Sequence, residues 1–516
     1  MRYVFAALAA VALSSPAAAE GWWRAKTNHF VVYSETSKEQ AEKLAVNLER
    51  FDQVMRYVRG MSLESEEVPD SAKLTLYQFG DTDDIGELAG SRGVAGFFIP
   101  RAGGSVAFVP ARQPRVRGSI GTRDTDDSFS GVVLFHEYAH YFMYQHAPAA
   151  YPRWYSEGFA EVYGTAQLTE SGFRMGGAAT HRADVLRYLN TYHVKRLLDP
   201  PERMDGEDGA QIYAMGWLLS NYLSFSGERK GELEKYLRLI NAGQTSRQAA
   251  EQAFGDLDKL NRDLDAYRRG RARIVEVKFP NYKPPRAEVR ALSQAEEAKM
   301  RLHIRSQVGV SKEKAKALVD DARRLASAHP RDVPVLRAAM EAEYDAQNDR
   351  EAEALADRIL QIDPVNTDAR IYRARIALRR AKTDPKQFAV ARKEFVAANK
   401  ADNENPVPLH GYYLTYLLAG ETPPKDALIA VERAYEFAPF DPGIRTTLAH
   451  LMLIENRNKE ALNLLGPIIN DPHPKPGKRL TKLREISKQI EAGNKTEALK
   501  ELAPKLDDDK EDEDDA

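Results

Sequence analysis

His136, Glu137 and His140 stand in the order His-Glu-x-x-His within Gly131-Val132-Val133-Leu134-Phe135-His136-Glu137-Tyr138-Ala139-His140-Tyr141-Phe142. On a helix, histidines four apart project from one face, about 6 Å apart along the axis, so both imidazoles reach one ion at about 2.0–2.1 Å. Glu137 is turned about 100° from His136, close enough to handle a water there without replacing a ligand. Val132, Val133, Leu134, Phe135, Ala139 and Phe142 would bury this helix on nearly all sides. A buried, unpartnered histidine pair is costly, which favours a ligand role over an idle one. A catalytic zinc needs three protein ligands and one open position. Sixteen residues separate His140 from Glu157, in Trp154-Tyr155-Ser156-Glu157-Gly158-Phe159-Ala160-Glu161. That gap lets one helix end, turn and bring back a second, which Pro152 would open. Gly158 omits a side chain where the second helix is expected to pass the first. Glu161, one turn beyond Glu157, would accept the outer N–H of a ligand histidine. The alternative exchanges the two, with Glu161 as ligand and Glu157 behind it.

His136-Glu137-x-x-His140 followed by Trp154-x-x-Glu157-Gly158-Phe159-Ala160 resembles the gluzincin metallopeptidases. The likeness is to their aminopeptidase-like branch and to the peptidase-MA-like group of bacterial exported proteins. It spans roughly residues 25–275 and is strongest over 128–163. The resemblance implies a zincin-like α+β fold and one zinc ion held by His136, His140 and Glu157, the last being the glutamate of the family's Glu-Gly-Phe-Ala motif. It further implies peptide-bond hydrolysis by a zinc-activated water, with Glu137 as general base. Relatives add a tyrosine or histidine as donor to the oxyanion. Tyr213, in Gln211-Ile212-Tyr213-Ala214-Met215-Gly216-Trp217, is the candidate, with a packed core tyrosine as its alternative. His181 and His193, on a downstream helical stretch, are candidates to approach the site, with ordinary, partly buried histidines as the alternative. The gap of 16 is shorter than in the aminopeptidases, and their Gly-x-Met-Glu-Asn strand motif is missing upstream, so their substrate-amine site is not carried over. The hairpin over 94–109 precedes the metal helix as the substrate-side edge strand does in this fold.

The elements that must position these groups come in α+β order. Residues 30–33 and 73–79 read as strands, and Ser37 caps a helix running to residue 58. Residues 94–99 and 105–109 form an antiparallel hairpin around Pro100-Arg101-Ala102-Gly103-Gly104. A helix covers 128–145, and from Arg182 onward nearly everything reads as helical. The domain expected over 20–278 ends at a proline-rich linker, 279–289, containing Phe279-Pro280-Asn281-Tyr282-Lys283-Pro284-Pro285.

Beyond the linker, residues 290–504 repeat. Pro330, Pro364, Asn403, Pro439 and Pro472 follow alanine-rich amphipathic helices at intervals of 34, 39, 36 and 33 residues. Ala352, Ala391 and Ala427 precede their marks by twelve residues and Ala461 by eleven. A small residue at a fixed point lets paired helices approach, and the pattern resembles tetratricopeptide repeats, four to five helical pairs in an all-α solenoid. Such an array would offer a groove to a protein or peptide partner. Residues 505–516 form an acidic tail.

Composition bounds the rest. At 516 residues the chain exceeds one core. Lys and Arg number 74 against 76 Asp and Glu, so no net charge draws the chain to nucleic acid. With no cysteine, any metal must be held by His, Asp and Glu. Met1-Arg2, an apolar run over 4–13 and Ala17-Ala18-Ala19 have the layout of a signal peptide covering 1–19, implying a periplasmic or secreted protein. No later stretch is long enough to span a bilayer. The expected function is an exported zinc metallopeptidase of the His-Glu-x-x-His-x16-Glu type with a repeat domain for partner or substrate. A catalytically idle, metal-stabilised repeat scaffold is the alternative. Glu137 favours the enzyme, because binding the metal does not require it. A third type, with its ligand far downstream in a Glu-x-x-x-Asp helix, is disfavoured by the nearby Glu157.

Overall fold

A computed structural model describes residues 21–64, 66–90, 96–111, 129–188, 191–200, 206–471 and 477–506. The expected signal peptide (1–19), the tail from residue 507, Ser128 and Pro472 lie outside them. The chain begins with β1 (Trp23–Lys26), β2 (Phe30–Ser34), α1 (Lys38–Val58), β3 (Leu74–Phe79), α2 (Asp83–Ala89), β4 (Phe97–Ile99) and β5 (Val106–Pro110). Then come α3 (Phe129–His146), α4 (Arg153–Gly164), β6 (Gln167–Thr169), β7 (Gly172–Met175), α5 (Ala183–Tyr188), α6 (Val194–Leu198) and α7 (Gly206–Phe225). The first region closes with α8 (Glu232–Asn241), α9 (Ser246–Phe254), α10 (Leu257–Arg269), β8 (Val275–Lys278) and β9 (Glu288–Ala291).

Six strands form one sheet in the order β4-β5-β3-β2-β1-β9. β2, β3 and β5 run parallel; β4 is antiparallel to β5, and β1 to both β2 and β9. Period-2 alternation sorts the side chains. Phe30, Val32, Leu74, Leu76, Ala107 and Val109 face α1 and α3, in one core with Leu48, Phe51, Leu134 and Phe142. Tyr33, Tyr77, Phe108 and Phe97 lie on the other face as a ladder of stacked rings crossing four strands in register, with centroids 5.5, 5.4 and 4.6 Å apart. Ser37 caps α1 as expected, its hydroxyl accepting from the Gln40 amide.

Helix prevails after Arg182 as expected, interrupted by two four-residue strands, β8 pairing with β7 and β9 with β1. The segment 279–289 is therefore framed by strands that return to the first region, and the sheet ends at Ala291 rather than before the prolines. The outer sheet face is also covered, by Met300 and Ile304 of α11 (Gln294–Val308).

The remaining helices are α12 (Lys312–Ala328), α13 (Val333–Asp345), α14 (Asp349–Ile362), α15 (Thr367–Arg380), α16 (Gln387–Ala401), α17 (Pro406–Leu418), α18 (Lys425–Phe437), α19 (Pro442–Ile454), α20 (Asn458–Ile469), α21 (Lys478–Glu491) and α22 (Thr496–Glu501). They form tetratricopeptide-like hairpins, α13–α14, α15–α16, α17–α18 and α19–α20, flanked by α11–α12 and α21–α22. Ala352, Ala391, Ala427 and Ala461 are fully buried on the second helix of each hairpin. Pro330, Pro364, Asn403 and Pro439 fall between one hairpin and the next.

Candidate metal centre

His136 and His140 occupy successive turns of α3, and Glu157 lies on α4, which starts after Pro152 in extended conformation. α4 returns against α3 so that Gly164 faces the Val132 carbonyl and the His136 Cβ; a Cβ on that glycine would sit 3.0 Å and 3.3 Å from them. Gly164, not Gly158, makes the close passage to the first helix. Gly158 faces the other way, against the backbone of Gly216 on α7. The α4–α7 crossing brings Tyr213 to the site.

His136 Nε2 and His140 Nε2 are 3.2 Å apart, and Glu157 Oε2 is 3.3 and 3.5 Å from them. All three residues are buried, Glu157 completely. A tetrahedral zinc with bonds of about 2.0–2.1 Å spaces its ligand atoms about 3.3 Å apart, so these atoms fit one face of such a tetrahedron. Two imidazoles and a carboxylate are also the donor set of a catalytic zinc with one open position. The ring nitrogens turned outward have their own partners. His136 Nδ1 lies 3.5 Å from Glu161 Oε1, and His140 Nδ1 lies 3.3 Å from Ser156 Oγ. With Nδ1 as donor in each ring, both Nε2 lone pairs face Glu157.

Burial pushes the Glu157 carboxyl up, but when the two rings also carry a proton on Nε2 their hydrogen bonds and charges outweigh this and hold it well below the carboxylate range. Burial also opposes the charge on Glu161. There His181 Nε2 at 2.6 Å and the Arg182 guanidinium at 2.5 and 3.0 Å win, bringing the carboxyl to about 2. Of the two histidines that are candidates to approach the centre, His181 makes the approach, through Glu161. His193 does not; it caps α6 and pairs with Asp258. Tyr213 stacks on His136 with centroids 5.9 Å apart, and the Arg182 guanidinium lies 4.6 Å above its ring. Burial, then the charge and hydrogen bonding of Glu157, push the Tyr213 phenol far up, so it stays a donor at any ordinary pH. Glu137 is half-buried, and its charge acts on both His136 and Tyr213.

Arg182 escapes sequence reasoning because it lies 21 residues downstream of Glu161, with no spacing rule to tie the two together. A second close trio, His29, Glu49 and Asp52, has different chemistry. Glu49 takes the His29 Nδ1 proton at 2.6 Å. Arg56 donates to His29 Nε2 at 3.0 Å and to Asp52 at 2.5 Å. Tyr138 of α3 donates to Asp52 at 2.7 Å. Arg56 supplies the positive charge and Tyr138 a hydroxyl donor there, and the network ties α3 to α1.

No protein-family model matches the sequence, and no curated protein aligns with it. Among solved structures, a similar chain is a thermophilic TPR protein of Thermus thermophilus. It is 17% identical, with a TM-score of 0.31, the match covering 38% of this chain and 99% of that one.

Proposed function

We propose that the first region is a zincin-like domain and that the protein is an exported zinc metallopeptidase of the gluzincin type. The observation that carries this reading is the triangle of His136 Nε2, His140 Nε2 and Glu157 Oε2, buried and spaced as one face of a zinc tetrahedron. When bound there, the ion supplies Lewis acidity, which acidifies water toward neutral pH and polarises a carbonyl.

The chain's own groups divide the remaining work. Glu137, next to one ligand and half-exposed, takes a proton from the attacking water and returns it to the departing amine. Tyr213 keeps its proton and offers the Oη–H to the negative oxygen that develops on the attacked carbonyl. Glu161, anchored by His181 and Arg182, holds the His136 ring in one tautomer. The edge strand β4 lies beside α3, where an extended peptide can pair with it. The repeat array serves as a scaffold for protein interaction.

The test is zinc analysis of the purified chain, with hydrolysis of a labelled unfolded protein such as casein. One zinc per chain is expected, and Glu137→Gln should keep the metal while losing hydrolysis. An intact rate in that variant would remove Glu137 as general base, whereas a parent chain that binds zinc but cleaves nothing would leave the metal-stabilised scaffold.

A further inference from the structure

The turn of the β4–β5 hairpin is held by helices from distant parts of the repeat array. Arg101 to Gly104 form a tight turn, with the Gly104 amide donating to the Arg101 carbonyl and Gly104 at φ +106°, a conformation that favours glycine. The Arg101 guanidinium closes this turn on the Gly104 carbonyl at 3.0 Å. It also donates to the Gln307 carbonyl, at 2.9 Å, and to the Gln307 side chain, at the end of α11. The Ala102 amide donates to Asp441 Oδ2 at 2.8 Å, while Oδ1 of the same carboxylate caps α19 by accepting from Ile444. Gly103 faces Val407 of α17. A chain of rings runs alongside: Phe98 of β4 meets Tyr141 of α3 at 5.7 Å, and Tyr141 meets Phe440 of the repeats at 5.0 Å. Tyr141 follows His140 directly.

We propose that the repeat array is a positioning device for this edge strand, with Arg101 and Asp441 as positioning residues that hold β4 in register with the metal helix for a substrate backbone. The inference rests on the peptidase reading for the identity of the substrate, an extended polypeptide. The physical reason is that β4 has three residues and one paired neighbour. So short an edge strand exchanges freely unless its turn is tied down. The array ties it at three consecutive residues of the turn, Arg101, Ala102 and Gly103.

The test uses the full chain carrying Ala102→Pro. Ala102 is the second residue of the turn, where proline is favoured, so the turn persists while the N–H to Asp441 is lost. Arg101→Ala removes the other tether, and Asp441→Asn, which still caps α19, guards against misfolding of the array. Amide exchange over residues 97–110 should accelerate roughly fivefold in Ala102→Pro and more in Arg101→Ala. Zinc content should stay at the parent value. The KM for casein should rise several-fold with kcat within about twofold, because the tether acts on substrate placement and not on proton transfer. Unchanged exchange in the hairpin overturns the clasp, and accelerated exchange with unchanged KM overturns its role in positioning. Should the parent chain bind no zinc and cleave nothing, the peptidase reading fails, while the exchange measurement still decides the clasp.

Discussion

Gly158 and Gly216 lie against each other where α4 crosses α7: a methyl group on Gly158 would overlap the Gly216 carbonyl oxygen and Ser220 Oγ. The partner atom is backbone and cannot rotate away. This contact fixes how α7 delivers Tyr213 to the carboxylate of Glu157, one residue before Gly158. Gly158→Ala should therefore cost about 3 kcal/mol or more, at the upper end for overpacking. Urea unfolding of the full chain will measure it, and a loss under about 1 kcal/mol would mean that the crossing is looser than described.

Glu157 and Glu161 should separate on metal affinity. Glu157→Ala removes one of three converging donors, and the purified variant should carry little or no zinc. Glu161→Ala leaves those donors in place and frees the His136 ring, so affinity should drop about 10–100-fold. Competition with a coloured chelator reads both, and the opposite ranking would make Glu161 the ligand.

Tyr213→Phe keeps the ring that stacks on His136 and deletes the hydroxyl. Zinc content should be unchanged and kcat should drop on the order of 10²-fold, with little change in KM. A KM effect alone would reassign Tyr213 to substrate packing.

A pH effect is expected in the repeats. Asp345 closes α13 and accepts from Ser306 at 2.7 Å, and burial raises its carboxyl to about 6, with Glu341 adding and Arg375 and Arg379 opposing. A folded-state value above the unfolded one means the stability is fully present below the unfolded value of 3.8 and is lost as pH rises through 6. Asp345→Asn should be more stable than the parent above pH 6, by up to about 3 kcal/mol, and near parity at pH 3.5. Denaturant midpoints at the two pH values check this, and a gap that does not change with pH would contradict it.

Much of this is legible in the chain, and the unread parts have physical causes. Helix geometry puts His136 and His140 on one face, and the resemblance of Glu157-Gly158-Phe159-Ala160 to the gluzincin motif, not spacing, picks Glu157 over Glu161. The alanines at 352, 391, 427 and 461 are legible because they recur at a fixed point of each helical pair, and all four are fully buried. β9 reads as linker because Glu288-Val289-Arg290-Ala291 is a short, polar edge strand whose partner lies at the other end of the domain. Gly158 reads as the neighbour of the wrong helix, since a sequence shows that room is needed without showing for which helix. The hold of Asp441 on Ala102 joins residues with no pattern in common.

The pairing of β1 with β9 sets Trp23 opposite Ala291. During synthesis the first strand must wait until more than half of the polypeptide has left the ribosome before its second edge is covered. A bare edge recruits foreign strands, and pairing over such a separation is slow. The nascent chain is therefore most prone to mispairing before β9 emerges, and fragments ending short of residue 288 will keep that sticky edge for good.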